Sequence, residues 1–101
     1  MVATWISDGS GWVKVTGNGF RVEAMAVKEF SRENEELCGY RFVIDLAECD
    51  AVDSTFLGTL AGMALRSRER GVGSVTVIHA NATTNGLIRD LGLDRLFGTE
   101  L

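Results

Sequence analysis

Apolar positions along this 101-residue chain fall into short strand-like runs separated by longer stretches with helical spacing. Trp5-Ile6 and Trp12-Val13-Lys14-Val15-Thr16 flank the turn-rich Ser7-Asp8-Gly9-Ser10-Gly11, a pattern suited to an antiparallel hairpin. Gly17-Asn18-Gly19 breaks the pattern, since glycine and asparagine tolerate the positive φ of a bend. From Phe20 to Leu37 the spacing turns helical. Phe20, Ala24, Val27 and Leu37 mark one face, Met25 and Phe30 widen it, and Lys28, Glu29, Arg32, Glu33 and Glu36 form the wet side. Gly39 supplies a left-handed stop. Glu33, Glu35 and Glu36 crowd the end of this helix, where the dipole disfavours anions. A solvated acidic face and a partner surface are both open readings of that cluster.

The centre of the chain is a strand–loop–helix unit. Phe42-Val43-Ile44-Asp45-Leu46, rich in β-branched and aromatic side chains, predicts a buried strand, and Glu48 to Val52 a polar connection. Asp53-Ser54-Thr55 offers three possible helix caps in a row. Leu57, Leu60, Ala61, Ala64 and Leu65 then recur at i, i+3, i+4, i+7 and i+8, one apolar stripe. Phe56 and Met63 lie on a different flank. They are open to two readings, core packing or an exposed apolar patch beside Ser54 suited to a protein partner. Beyond the helix, Gly71-Val72-Gly73 is a stop signal. It follows a helix and precedes a strand, the reverse of a nucleotide-binding loop. Ser74-Val75-Thr76-Val77-Ile78-His79 reads as a further core strand. Asn81-Ala82-Thr83-Thr84 offers Thr83 or Thr84 as the cap of a short helix through Leu87, Ile88 and Leu91 that ends at Gly92.

Strands alternating with helices predict an α/β fold with right-handed parallel crossovers and an antiparallel edge from the first hairpin. The length allows one domain with a single core. A composition of 46% hydrophobic and 24% charged residues is that of a globular chain. No apolar run approaches the roughly 18 residues of a membrane span, and no signal peptide precedes Ser7-Asp8-Gly9, so the expected location is cytoplasmic, with no membrane partner. A net charge of −4 argues against nucleic acid. Arg66, Arg68 and Arg70 fall in the last turns of the central helix, where cations complement the dipole. Cys38 and Cys49 lack metal-ligand spacing and are expected as reduced thiols, and His79 as a structural residue. Asp45, Asp50 and Asp53 are expected as turn and capping carboxylates rather than a divalent-metal site, so no metal is assigned. No nucleophile–histidine motif, zinc motif or Walker lysine is present, and the chain is not expected to be an enzyme.

The run Val52-Asp53-Ser54-Thr55-Phe56-Leu57-Gly58-Thr59-Leu60 resembles the Asp-Ser-Ser/Thr-x-aliphatic-Gly-x-aliphatic signature of STAS domains. It is most similar to the stand-alone anti-sigma-factor antagonists. Asp45-Leu46 ahead of the signature and Leu91-Gly92-Leu93-Asp94-Arg95-Leu96-Phe97 near the end also fit, so the resemblance spans Trp5 to Phe97. It implies a mixed β-sheet with helices mostly packed on one face. It also implies that Ser54 accepts phosphate, with Thr55 as runner-up, and that Asp53, Ser54, Thr55, Phe56 and Met63 meet the partner. In that family the unphosphorylated form binds an anti-sigma factor, a serine kinase with a histidine-kinase-like ATPase fold, and frees sigma. The kinase resets the antagonist with ATP, a PP2C-type phosphatase reverses this, and no cofactor is carried. A scaffold subunit of a stressosome-like or transporter-associated complex, with Ser54 only a cap, is the alternative the same resemblance allows. Members usually add a strand and a helix after the Leu-Phe pair. Here the single domain, residues 1–101, is expected to begin at most an edge strand and to lack that helix.

Overall fold

Asp8 and Gly9 adopt φ of 52° and 76°, the two left-handed conformations that a two-residue type I′ turn requires. They join β1 (Val2–Ser7) to β2 (Ser10–Gly19) as an antiparallel hairpin in which Trp5 stands opposite Trp12. The two indole rings stack with centroids 6.0 Å apart. The computed structural model describes residues 1–100.

β2 does not stop at Gly17. Register shifts between Lys14 and Thr16 and between Gly17 and Asn18 absorb the bend as bulges, and the strand runs on to Gly19. Its neighbour β3 (Arg41–Val52) is correspondingly long. Glu48–Val52, expected as a connection, stays in the sheet opposite Thr16–Gly19. β4 (Ser74–Ile78) and β5 (Gly98–Glu100) complete a five-stranded sheet of order β1-β2-β3-β4-β5, antiparallel only at β1–β2. The end of the chain thus contributes a three-residue parallel edge strand, and Leu101 lies outside the described residues.

Each parallel connection steps one strand in the same direction, so crossovers of one hand place α1 (Arg21–Asn34), α2 (Ser54–Arg70) and α3 (Ala82–Asp90) on the same side. Val13 and Val15, Phe42, Ile44 and Leu46, and Val75 and Val77 alternate along the strands towards those helices. Ala24 and Val27 of α1, Phe56, Leu57 and Leu60 of α2, and Ile88 of α3 close the core.

The helix faces differ from the predicted ones in three places. α1 ends at Asn34, and turns closed by Cys38 N–H to Asn34 O (2.9 Å) and Tyr40 N–H to Glu35 O (2.7 Å) carry the chain to β3. That path buries Cys38 and turns Leu37 out to 72% exposure; Met25, at 64%, is likewise outside the core. On α2 the buried side is rotated towards Phe56, Met63 and Ser67, leaving Leu65 46% exposed. The polar Ser67 is tolerated there because its hydroxyl donates to Tyr40 O at 2.8 Å. Ahead of α3, Asn81 rather than a threonine is the cap, its Oδ1 accepting from Thr84 N–H at 2.8 Å, and Thr84 itself is buried.

Of the acidic cluster, Glu35 belongs to no solvated face. Arg66 of α2 grips it with both arms, Nε donating to Oε2 at 3.0 Å and Nη2 to Oε1. This pairing, hydrogen bond first, raises the Arg66 pKa further. α2 terminates at Gly71, whose φ of 68° lets its N–H reach Arg68 O and that of Val72 reach Ser67 O.

Candidate functional site

The junction of β3 and α2 is built around Asp53. Its extended backbone (φ −109°, ψ 176°) ends the strand, and its Oδ1 accepts from Phe56 N–H at 2.8 Å. The aspartate therefore caps the helix, and Ser54 occupies the first helical position. From the other side, Asp53 N–H donates to Gly19 O at 3.1 Å, pinning the start of α2 to the end of β2. Gly19 also leaves room for the side chains packed beneath it. A Cβ there would meet Val52 Cγ1 at 3.1 Å and the Phe56 ring at 3.2 Å.

Ser54 and Thr55 are both exposed. The Ser54 hydroxyl makes no hydrogen bond among the described residues, and the first turn of α2 holds no acid beyond the cap. Thr55 follows about 100° further round the helix, and its carbonyl accepts from Thr59 Oγ1 at 3.2 Å. An anion attached to Ser54 would meet the positive end of a 17-residue helix and backbone N–H groups lacking an intrahelical acceptor.

The expectation of an exposed patch made by Phe56 and Met63 is corrected. Phe56 is fully buried and Met63 is 6% exposed. Capping by Asp53 fixes the phase of the helix so that the ring at its third position points beneath Gly19 and Val52. Apolar groups that reach solvent near this junction lie at the start of α1 and its N-cap. Phe20, joined by the backbone to Gly19, is 41% exposed, and Val22 and Met25 are 74% and 64% exposed. The helical spacing that placed Phe20 and Met25 on a core face concealed them. Only the absence of a matching apolar partner at Arg21, Lys28 and Arg32 hinted otherwise.

The other candidates are engaged locally. Asp45 Oδ1 accepts from Ala47 N–H at 2.9 Å, and Asp50 is exposed with its carbonyl held by Asn81 Nδ2 at 2.9 Å. Among the described residues no three of His, Cys, Asp or Glu gather as a metal site. Cys38 and Cys49 are unpaired and buried, and burial pushes both thiols up, away from the reactive thiolate. His79 is exposed at the end of β4 with a left-handed φ of 60°, so it is a turn residue and not a core one. Arg68 reaches Arg95 O at 2.8 Å and Arg70 lies over the Tyr40 ring, 5.2 Å from its centroid. Among the described residues no helix is long and apolar enough to cross a membrane.

A family model described as "Mlab, STAS domain" matches residues 3–98. No curated protein sequence matches. Among solved structures, TM1081 of Thermotoga maritima, described as an anti-sigma factor antagonist, superposes with a TM-score of 0.83 at 16% identity, covering 97% of this chain and 84% of its own. The phosphorylated form of the Bacillus cell fate determinant SpoIIAA gives 0.78 at 8% identity over 100% and 92% of the two chains. A serine-to-glutamate variant of RsbS from Moorella thermoacetica gives 0.79 at 19% identity over 99% and 86%. These likenesses concern the fold.

Proposed function

The chain belongs to the STAS domain family, and from that premise we propose that it is an anti-sigma factor antagonist switched by phosphorylation at Ser54. The observation that carries the proposal is the state of Ser54. Its hydroxyl is exposed and unbonded directly after the capping Asp53, at a helix end with no other acid in its first turn. SpoIIAA, of like fold, is known in unphosphorylated and phosphorylated forms, which supports the same chemistry for this chain.

In this reading the unphosphorylated protein binds and sequesters a kinase-type anti-sigma factor with a histidine-kinase-like ATPase fold, so that sigma is released. The kinase then transfers the γ-phosphoryl group of ATP to Ser54 Oγ. The hydroxyl proton is lost, the bridging bond to ADP breaks, and a monoester carrying about −1.5 to −2 charges is left. The fold accommodates that group, but a partner docked there would have to desolvate a dianion next to Asp53, and it lets go. A PP2C-type phosphatase hydrolyses the ester and restores binding. The chain is thus ligand and substrate in a cytoplasmic signalling cycle, needs no cofactor and catalyses nothing itself.

The direct test is incubation with a kinase-type anti-sigma factor from the same organism and ATP, followed by intact-mass measurement and peptide mapping. One added phosphate on Ser54, absent in Ser54→Ala, is the expected result. Phosphate on Thr55 with Ser54 bare would overturn the assignment. Absence of any modification, together with equal partner binding by wild type and Ser54→Ala, would favour the scaffold role instead.

A further inference from the structure

Among the described residues, one groove of this acidic protein has only cations as the charged groups that line it. α1 and α2 run side by side, and between them lie two cavities, of about 290 Å³ and about 230 Å³, that share Lys28, Thr55 and Thr59. The α1 bank presents Arg21, Met25, Lys28 and Arg32, at i, i+4, i+7 and i+11 on one helical face. The α2 bank presents Thr55, Gly58, Thr59 and Gly62, and among the described residues no carboxylate lines either cavity. Arg66 closes one end but is already paired with Glu35. Arg21, Lys28 and Arg32 have no carboxylate within ion-pairing distance among the described residues.

We infer that this groove is a docking site for an amphipathic α-helix with an acidic face on a protein partner, lying along Gly58 and Gly62 beneath Arg21, Lys28 and Arg32. Three features select that occupant. Three unpaired cations on a chain of net charge −4 call for anionic groups spread along a line. From Arg21 to Arg32 the line is about 16 Å long, three turns of helix, far longer than one phosphate or carboxylate spans. The small residues and Met25 supply the apolar half of the fit. Nothing lies within 4 Å of a Cβ placed on Gly58 or Gly62, so a partner backbone can approach α2 closely there, and the 64% exposed Met25 offers a deformable contact at the centre of the cationic bank. Thr55 lines both cavities one residue from Ser54, so the groove leads to the α2 start. The inference does not depend on Ser54 being phosphorylated.

The test uses the full chain and a synthetic helical peptide of about three to four turns, with glutamates along one face and leucines beside them. The amide signals of Gly58 and Gly62 report the groove. The acidic peptide should shift both signals to saturation, and a glutamine-for-glutamate peptide should bind about tenfold more weakly or worse. Lys28→Glu with Arg32→Glu should abolish the shifts. Gly62→Gln, which leaves the charge unaltered and enters open space, should fold as well as wild type yet weaken binding about tenfold by filling the groove. Equal shifts with the glutamine peptide, or undiminished binding by both variants, would overturn the inference. Saturation of the same signals by inorganic phosphate alone, with no further gain from the peptide, would make this a small-anion site and overturn it as well.

Discussion

The starts of α1 and α2 lie side by side, linked through Gly19 and Phe20, and they treat the same helix dipole in opposite ways. At α1, Glu23 turns back to accept from Phe20 N–H at 2.9 Å, and the ammonium of Met1 stands 3.7 Å from its other oxygen. The Phe20 bond, ahead of the ammonium, holds the Glu23 carboxyl below its usual range. That helix end is closed by its own side chain. α2 has its cap in Asp53 but no acid in its first turn, and it presents the Ser54 and Thr55 hydroxyls to solvent. Each end thus holds one carboxylate, but Glu23 folds back onto its own N-cap residue whereas Asp53 leaves the adjoining Ser54 and Thr55 hydroxyls facing solvent. The difference is what supports the proposal that α2, and not α1, carries the switch.

Breaking the anchor of the open end should have the largest effect. Phe56→Ala is expected to cost about 3–5 kcal/mol in chemical denaturation, because the ring is fully buried under Gly19 and Val52. A loss of partner affinity with unaltered stability would instead restore a surface role for Phe56.

Separating cap from acceptor is the next step. Asp53→Ala should lose about 0.5–2 kcal/mol with its hydrogen bond to Phe56 N–H. Ser54→Ala should stay within about 0.5 kcal/mol of wild type, since the exposed hydroxyl makes no hydrogen bond among the described residues. If Ser54→Ala proved the costlier of the two, the capping assignment would be reversed.

Ser54→Asp should remain folded, with at most about 1 kcal/mol gained from the dipole, and should bind the partner less well. A thermal midpoint well below wild type would show that the α2 start does not welcome charge. The smallest effect belongs to α1. Because its folded pKa is lowered, Glu23 contributes stability above the usual glutamate range, and this is lost as pH falls through the lowered value. The Phe20 amide signal should therefore move in acid with a midpoint below that range. A midpoint at or above it would mean the α1 end is as open as that of α2.

The parallel order of the sheet and the strand-to-helix unit were legible in sequence because alternation, β-branched runs and glycine stops all agree there, as at Phe42–Leu46 and Gly71. The placing of Asp53 and Ser54 at the start of α2 was legible too, from the run of cap-forming residues there. Two kinds of feature were not. Strand continuation past Gly17 and Leu46 depends on bulged pairing between β2 and β3, which no local pattern encodes. The facing of Phe56, Met63 and Met25 depends on helix phase. Asp53 sets that phase for α2, whereas α1 carries apolar residues on both its inner and outer sides. Exposure of Met25 and burial of Phe56 thus exchange the roles that hydrophobicity alone suggested. In the same way, the groove between α1 and α2 emerges only when residues 30 positions apart in sequence are brought face to face, as Lys28 and Gly58 are.

If charge added at Ser54 controls binding while leaving the fold intact, titration of a kinase-type anti-sigma factor against three samples will show it: unphosphorylated protein, enzymatically phosphorylated protein, and Ser54→Ala treated with the same kinase and ATP. Phosphorylation should weaken binding by about tenfold or more, about 1.4 kcal/mol or above, with an unaltered circular dichroism spectrum, while kinase-treated Ser54→Ala keeps the affinity of the unmodified protein. Equal affinity for all three would contradict it.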